Sequence, residues 1–267
     1  MPAIQLARLR LEIADLIQHF EYPDRFIKNM DVLLEFYSDR TRRPSQKGKP
    51  PPSLKTYNIP QPMFRQIVLE LSPFAYNETE AFLVLIDRCW QESVLEYRKL
   101  AIHLIAQVSP TPADRILERV RPWIEETIEE DIIQEMFEVS LAPMREKLTS
   151  EYLDLLKDWS RSDDNDQQLL GLMGLSTLLR TNSFDNFPVI FKLIEKSFEL
   201  EKKKFRPYHL EIFKHLVRLS NQETVHYLKE ILFKYPNKET RWLIRNLLNI
   251  FLPEQQDEFK NILRNNR

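Results

Sequence analysis

Three stretches carry side chains whose type and spacing can do chemistry. The first runs Glu125, Glu126, Thr127, Ile128, Glu129, Glu130, Asp131. Five carboxylates at that density suit a solvated helix face or a divalent-cation or basic-partner site. No histidine lies close enough in sequence to complete a familiar ligand spacing, and no metal or other cofactor is expected. The second stretch is cationic. Lys202, Lys203, Lys204 and Arg206 precede Glu211, Lys214, His215 and Arg218, which recur at helical spacing. Arg241, Arg245 and Asn249 repeat the pattern further on. Lys203, Arg206, Lys214, His215, Arg218, Arg241 and Arg245 would make a positive groove for nucleic-acid phosphates, with His215 a neutral donor or stacking group. The competing reading is a solvated surface paired with local glutamates. The third stretch, Arg40 to Lys55, concentrates Arg40, Arg42, Arg43, Lys47, Lys49 and Lys55 among prolines. It is either a basic arm for a duplex backbone or a solubilising linker.

The remaining reactive side chains read as structure. Cys89, the single cysteine, follows the apolar run Phe82 to Ile86 and is expected to be a buried, inert thiol. His103 and His226 sit among apolar residues and are expected to be packing groups. No nucleotide fingerprint, zinc ligand set or Ser-His-Asp arrangement can be assembled.

Helices must position these groups. The chain has 267 residues and 3 glycines, where average usage would give about 19. Glycine-poor chains are unsuited to hairpin-rich sandwiches, doubly wound nucleotide folds and P-loops. The 17 prolines supply the punctuation. Leu6, Leu9, Ile13, Leu16 and Ile17 form one helical stripe, and Phe26, Met30, Leu33, Leu34 and Tyr37 a second. Beyond the basic loop the pattern predicts helices over 60–72, 78–91, 94–108, 112–125, 127–141, 149–160, 165–181, 184–199, 206–220, 222–234, 238–251 and 254–265. Asn77 and Thr149 are expected N-caps. Ile124, Ile128, Ile132 and Met136 are expected to share an inward stripe, and Gly171 and Gly174 to mark a close helix approach.

Short helices paired at intervals of roughly 30–40 residues predict an all-α fold, an α-solenoid of HEAT-like antiparallel helix pairs. Residues 1–39 would supply N-terminal helices, 40–55 a basic Pro-rich loop, and 56–267 the repeat domain, one continuous array with the N-terminal helices. Lys and Arg total 38 against 40 Asp and Glu, a net charge of −2, so no global basic field draws in nucleic acid. No 18-residue apolar run would span a membrane. The charged amphipathic start does not read as a secretion signal, and a cytoplasmic protein is expected.

The segment Tyr57, Asn58, Ile59, Pro60, Gln61, Pro62, Met63, Phe64, Arg65 resembles a motif of the DNA alkylation repair family of HEAT-like proteins, the AlkD-like DNA glycosylases. Asn58 stands where the family has glycine, and Asn tolerates left-handed backbone. Leu85, Trp90, Glu96, Tyr97, Arg98, Ala101 and Ile102 are similar to a following helix pair of that family. Leu155, Trp159, Ser162 and Asp163 are similar to a later helix end. The resemblance covers roughly residues 55 to 250. It implies a concave surface for duplex or damaged DNA. It also implies a catalytic aspartate four residues after a tryptophan, then an arginine and a further tryptophan. Counted from Trp159, these positions carry Gln134, Glu130, Leu169 or Leu170, and a residue near His215, so none is retained. The reading is therefore a duplex DNA binder with glycosylase activity lost or altered. The alternatives are a scaffold for a protein partner and a glycosylase that uses Asp131.

Overall fold

The computed structural model describes residues 6–38, 54–180 and 184–265. The basic stretch of Arg40 to Lys55 lies, up to Ser53, outside the described residues. The described chain is all-helical, with one isolated parallel bridge between Lys55 and Val94 and no strand among the described residues. It divides into two compact units, 1–148 and 149–267.

The first unit holds α1 (Leu6–Ile17), α2 (Pro23–Phe36), α3 (Gln61–Leu71), the single turn α4 (Phe74–Asn77), α5 (Thr79–Trp90), α6 (Leu95–Ile105), α7 (Asp114–Glu126), α8 (Glu130–Glu135) and α9 (Ala142–Lys147). A π-turn at Met136–Ser140 links α8 to α9. Helix α1 packs on α2 and α3, α2 on α5, and α6 on both α3 and α5. Both expected N-terminal stripes face this core: Leu9, Ile13, Phe26, Met30 and Leu34 are fully buried. Burying one such side chain contributes about 1.5–3 kcal/mol.

Glu96 organises the entry to α3. Its Oε1 accepts from Thr56 Oγ1 at 2.9 Å and from the backbone N–H groups of Tyr57 at 2.9 Å and Asn58 at 2.8 Å. Asn58 has φ of 53°, the left-handed geometry that its place in the motif calls for. Nearby, Tyr97 donates to Ile27 O and to Asp31 Oδ1, both at 3.0 Å.

The second unit holds α10 (Thr149–Arg161), α11 (Asn165–Arg180), α12 (Phe187–Glu195), α13 (Arg206–Leu219), α14 (Asn221–Lys234), α15 (Lys238–Leu247) and α16 (Pro253–Asn265). Short 3-10 turns follow α12, precede α13 and follow α15. Contacts alternate: α10 meets α12 and α12 meets α14, while α11 meets α13 and α13 meets α15. Helices α10 and α11 pack closely where Gly171 faces Ser160. A methyl at Gly171 would stand 2.6 Å from Ser160 Oγ and 3.1 Å from its backbone nitrogen.

Proline marks helix starts, at Pro23, Pro62, Pro188 and Pro207, where a missing N–H costs nothing. Asn237 ends the turn after α14 and caps α15, accepting from Glu239 N at 3.1 Å and Thr240 N at 3.0 Å.

Four local expectations change. Asn77 lies inside α4 rather than at an N-cap, and Glu78 precedes α5 without a side-chain cap. Residues 127–129 interrupt the expected helix over 127–141, because Thr127 turns extended and its hydroxyl donates to Trp123 O at 2.6 Å. Ile128 is consequently 91% exposed and leaves the inward stripe, whereas Ile124, Ile132 and Met136 remain buried. His226 is exposed, reaching Glu230 at 3.3 Å. The buried imidazole is His209 instead, with Nε2 at 2.6 Å from Ser197 Oγ and its ring stacked on Phe198. Cys89 is fully buried, and burial pushes its thiol well above the usual range.

Candidate nucleic-acid interface

Helix α13 buries Ile212, Phe213, Leu216 and Val217. With 3.6 residues per turn, Lys214 and Arg218 are thereby turned outward, one turn apart. Both are exposed, and neither has a carboxylate partner among the described residues. Like charges at that spacing oppose the helix by about 0.2–0.5 kcal/mol. The cost is therefore uncompensated inside the protein.

Lys214, Val217, Arg218 and Asn221 continue one face from α13 into the first residue of α14. Opposite them lie Asn246, Asn249 and Ile250, again at three- and four-residue spacing, from α15 and its closing turn. Together they line a cleft of about 390 Å³. Gln255 Nε2 donates to Asn221 Oδ1 at 2.6 Å, and Asn246 Nδ2 donates to Trp242 O at 2.8 Å. The Asn221 amide therefore keeps its donor side, and the Asn246 amide its acceptor side.

The other expected phosphate contacts divide. His215 shares α13 and is half-buried. Burial holds its imidazole below the usual range; Glu211 opposes this, and Arg218 and Arg180 add to it, so the ring is neutral at pH 7. Glu211 is engaged by Ser176 at 2.6 Å and by Arg180 at 3.6 Å. Arg206 is committed elsewhere, forked onto Glu239 at 2.5 and 3.0 Å and stacked 4.7 Å over Trp242. Lys204, its neighbour, pairs with Asp166. Lys203 and Arg245 are exposed, without an ion pair among the described residues, and Arg241 is half-buried. The structure thus gathers Lys214 and Arg218 at one cleft, keeps His215 on their helix and ties Arg206 into a part-buried pair. Asn221 and Asn246 escaped the sequence reading, which named only Asn249 among the carboxamides of this cleft. Their signal was the continuation of the 214, 217, 218 spacing to 221.

The acidic stretch is embedded differently. Asp131 and Glu130 are exposed in the first turn of α8. Glu125 pairs with Arg121 at 3.0 Å. Glu126 and Glu129 act on Arg98, which burial holds below the usual guanidinium range. Arg98 lies 4.3 Å over Trp90, itself stacked on Trp123 at 4.4 Å. Gln134 donates to Glu138 at 2.9 Å. The more enclosed carboxylate is Glu135, between Lys99 at 2.8 Å and His103 at 3.0 Å. Burial pushes its carboxyl up, yet the hydrogen bonds from His103 and Lys99 outweigh this and hold it below the usual range. Among the described residues no three metal-ligating side chains converge, and no helix is long and apolar enough to cross a membrane.

Comparison with known proteins bears on both regions. No curated protein and no solved structure matches the chain. The family model described as DNA alkylation repair enzyme matches residues 33–206, from α2 to the first residue of α13, so the cleft lies beyond the matched segment. That match spans well over half of the 267 residues, and the chain belongs to the DNA alkylation repair enzyme family.

Proposed function

We propose that this protein binds duplex DNA through its second unit, in a DNA-repair role, with the family's base-excision chemistry lost or altered. Family membership supports a repair-related role. The observation that carries the binding reading is the outward Lys214 and Arg218 pair, left without carboxylates beside a cleft. Lys203 and Arg245, also exposed and without an ion pair among the described residues, add to the positive charge available in this unit. Phosphate contacts of this kind orient a protein on DNA without reading its sequence.

The alternating contacts of α10, α12, α14 and of α11, α13, α15 support a HEAT-like stack of helix pairs within this unit. In that stack α13 and α15 present the surface that meets DNA, while α11, buried from Leu170 to Leu179, packs against α13 as core. Loss of excision fits the exposure of Asp131. A carboxylate in water stabilises a developing sugar cation far less than one in a dry site.

Duplex binding by fluorescence anisotropy, titrated across salt, tests the reading. Affinity should fall steeply with salt and depend on Lys214 and Arg218; absence of binding at low salt would overturn it. Alkylated duplex should lose no base on incubation with the protein. Base release that disappears with Asp131→Asn would instead make the protein a glycosylase using that carboxylate.

A further inference from the structure

The cleft between α13, α14 and α15 has more chemistry than backbone contact requires. A flat basic surface suffices to hold phosphates, and such contacts carry no base information. Here two cations share a concavity with three carboxamides and an apolar floor, Val217 and Ile250. Its volume of about 390 Å³ falls in the range of about 300–1,000 Å³ typical of small-ligand sites. Ligand sites combine an apolar surface with a few fixed polar groups, and two of the three carboxamides are fixed. Gln255 holds Asn221 with its amino group available, and Trp242 O holds Asn246 with its carbonyl available. Glu211, the carboxylate one turn before Lys214, is turned to Ser176 and Arg180.

We infer that this cleft seats a single nucleotide unit whose base carries an amino group beside a ring nitrogen, as adenine does. Its phosphate lies between Lys214 and Arg218 with the Asn221 amide as a third donor. Its base lies on Val217 and Ile250, and Asn246 and Asn249 read the base edge. A carboxamide pairs in two places with adenine, accepting from the amino group and donating to the ring nitrogen. Adenine meets that pattern, and cytosine, with its amino group beside ring nitrogen N3, meets it by the same two bonds. The unit comes either from a free mononucleotide or from an unpaired nucleotide of a bound strand. The inference rests on the DNA-binding reading only for the second source.

Calorimetric titration with adenosine monophosphate tests the first source, with adenosine and inorganic phosphate as controls. Adenosine monophosphate should bind at least ten-fold tighter than either control. The affinity should be lost in Lys214→Ala/Arg218→Ala and should fall to the inorganic-phosphate level in Asn249→Leu. The second source is tested by anisotropy on two duplexes, one fully paired and one with a single unpaired adenosine. A ten-fold preference for the unpaired adenosine, abolished by Asn249→Leu, supports the inference even if the free nucleotide binds weakly. Matching melting temperatures for the parent and variant proteins exclude misfolding. The inference is overturned if adenosine monophosphate binds no better than inorganic phosphate and the two duplexes bind alike. If Lys214→Ala/Arg218→Ala still weakens the paired duplex, duplex binding stands and only the nucleotide site is lost. If neither duplex binds, both are lost unless the free nucleotide is held.

Discussion

Removing Lys214 and Arg218 together gives the sharpest quantitative test of duplex binding. Each phosphate neutralised contributes about −0.9 to the slope of log affinity against log salt. Lys203, Lys214, Arg218 and Arg245 are exposed and lack an ion pair among the described residues. Taken as about four phosphate contacts, they give a slope near −3.6, or about 150-fold weaker binding from 50 to 200 mM salt. Lys214→Ala/Arg218→Ala halves that slope, so the same salt change costs only about 12-fold. The variant should bind about 200-fold more weakly than its parent at 50 mM salt and about 20-fold more weakly at 200 mM. Fluorescence anisotropy on a labelled duplex reads both slopes directly. Lys229→Ala is the matched control, because Lys229 is paired with Glu258 at 2.5 Å and should scarcely alter the slope. The fold should not suffer, since the double variant removes a like-charge pair. A slope equal to the parent's would refute the reasoning, because those two cations would then touch no phosphate.

Three further perturbations probe the scaffold. Gly171→Ala drives a methyl onto Ser160; overpacking of about 1–3 kcal/mol, less about 1 kcal/mol of helix propensity, leaves a net loss of up to about 2 kcal/mol in urea unfolding, and a gain in stability would contradict the close approach. Glu96→Gln trades a carboxylate that accepts three hydrogen bonds for a carboxamide oxygen; charged acceptors contribute about 1.5–3 kcal/mol per bond against about 1 for neutral ones, so unfolding should shift by more than 1 kcal/mol and proteolysis near residues 54–60 should accelerate. His209 is held down to about 3 by burial, while an unfolded imidazole titrates near 6.5. Protonation therefore favours the unfolded chain: the stability is intact above about 6.5 and is lost as pH falls from there toward 3. The slope is at most about 1.4 kcal/mol per pH unit. His209→Phe should flatten that acid limb in thermal melts, and an unchanged limb would remove His209 as its cause.

The helices were legible because their signals are local. Leu9, Ile13 and Leu16, or Ile212, Phe213 and Leu216, repeat at the helical period, and each set is buried. The scarcity of glycine made Gly171 conspicuous, and its reason lies in the one residue it approaches, Ser160. Asn58 could be read as left-handed because few non-glycine side chains tolerate that geometry. Legibility failed where two elements compete for the same residues. Thr127 can continue a helix or close one on Trp123 O, and that choice decides whether Ile128 is core or surface. The boundary at Leu148 and Thr149 likewise has no compositional mark.

The candidate site was half legible for the same reason. Charge and period put Lys214, His215 and Arg218 on one helix. They could not tell that Arg206, equally cationic, is spent on Glu239 thirty-three residues away. Nor could they tell that Asn246, an unremarkable amide, is held by the Trp242 carbonyl at the cleft that the two cations also line. Formal charge is a property of the sequence, whereas available charge depends on which partners the fold supplies. The cations left over after the fold has made its pairs are therefore the ones to test first against DNA, and Lys214 and Arg218 lead them.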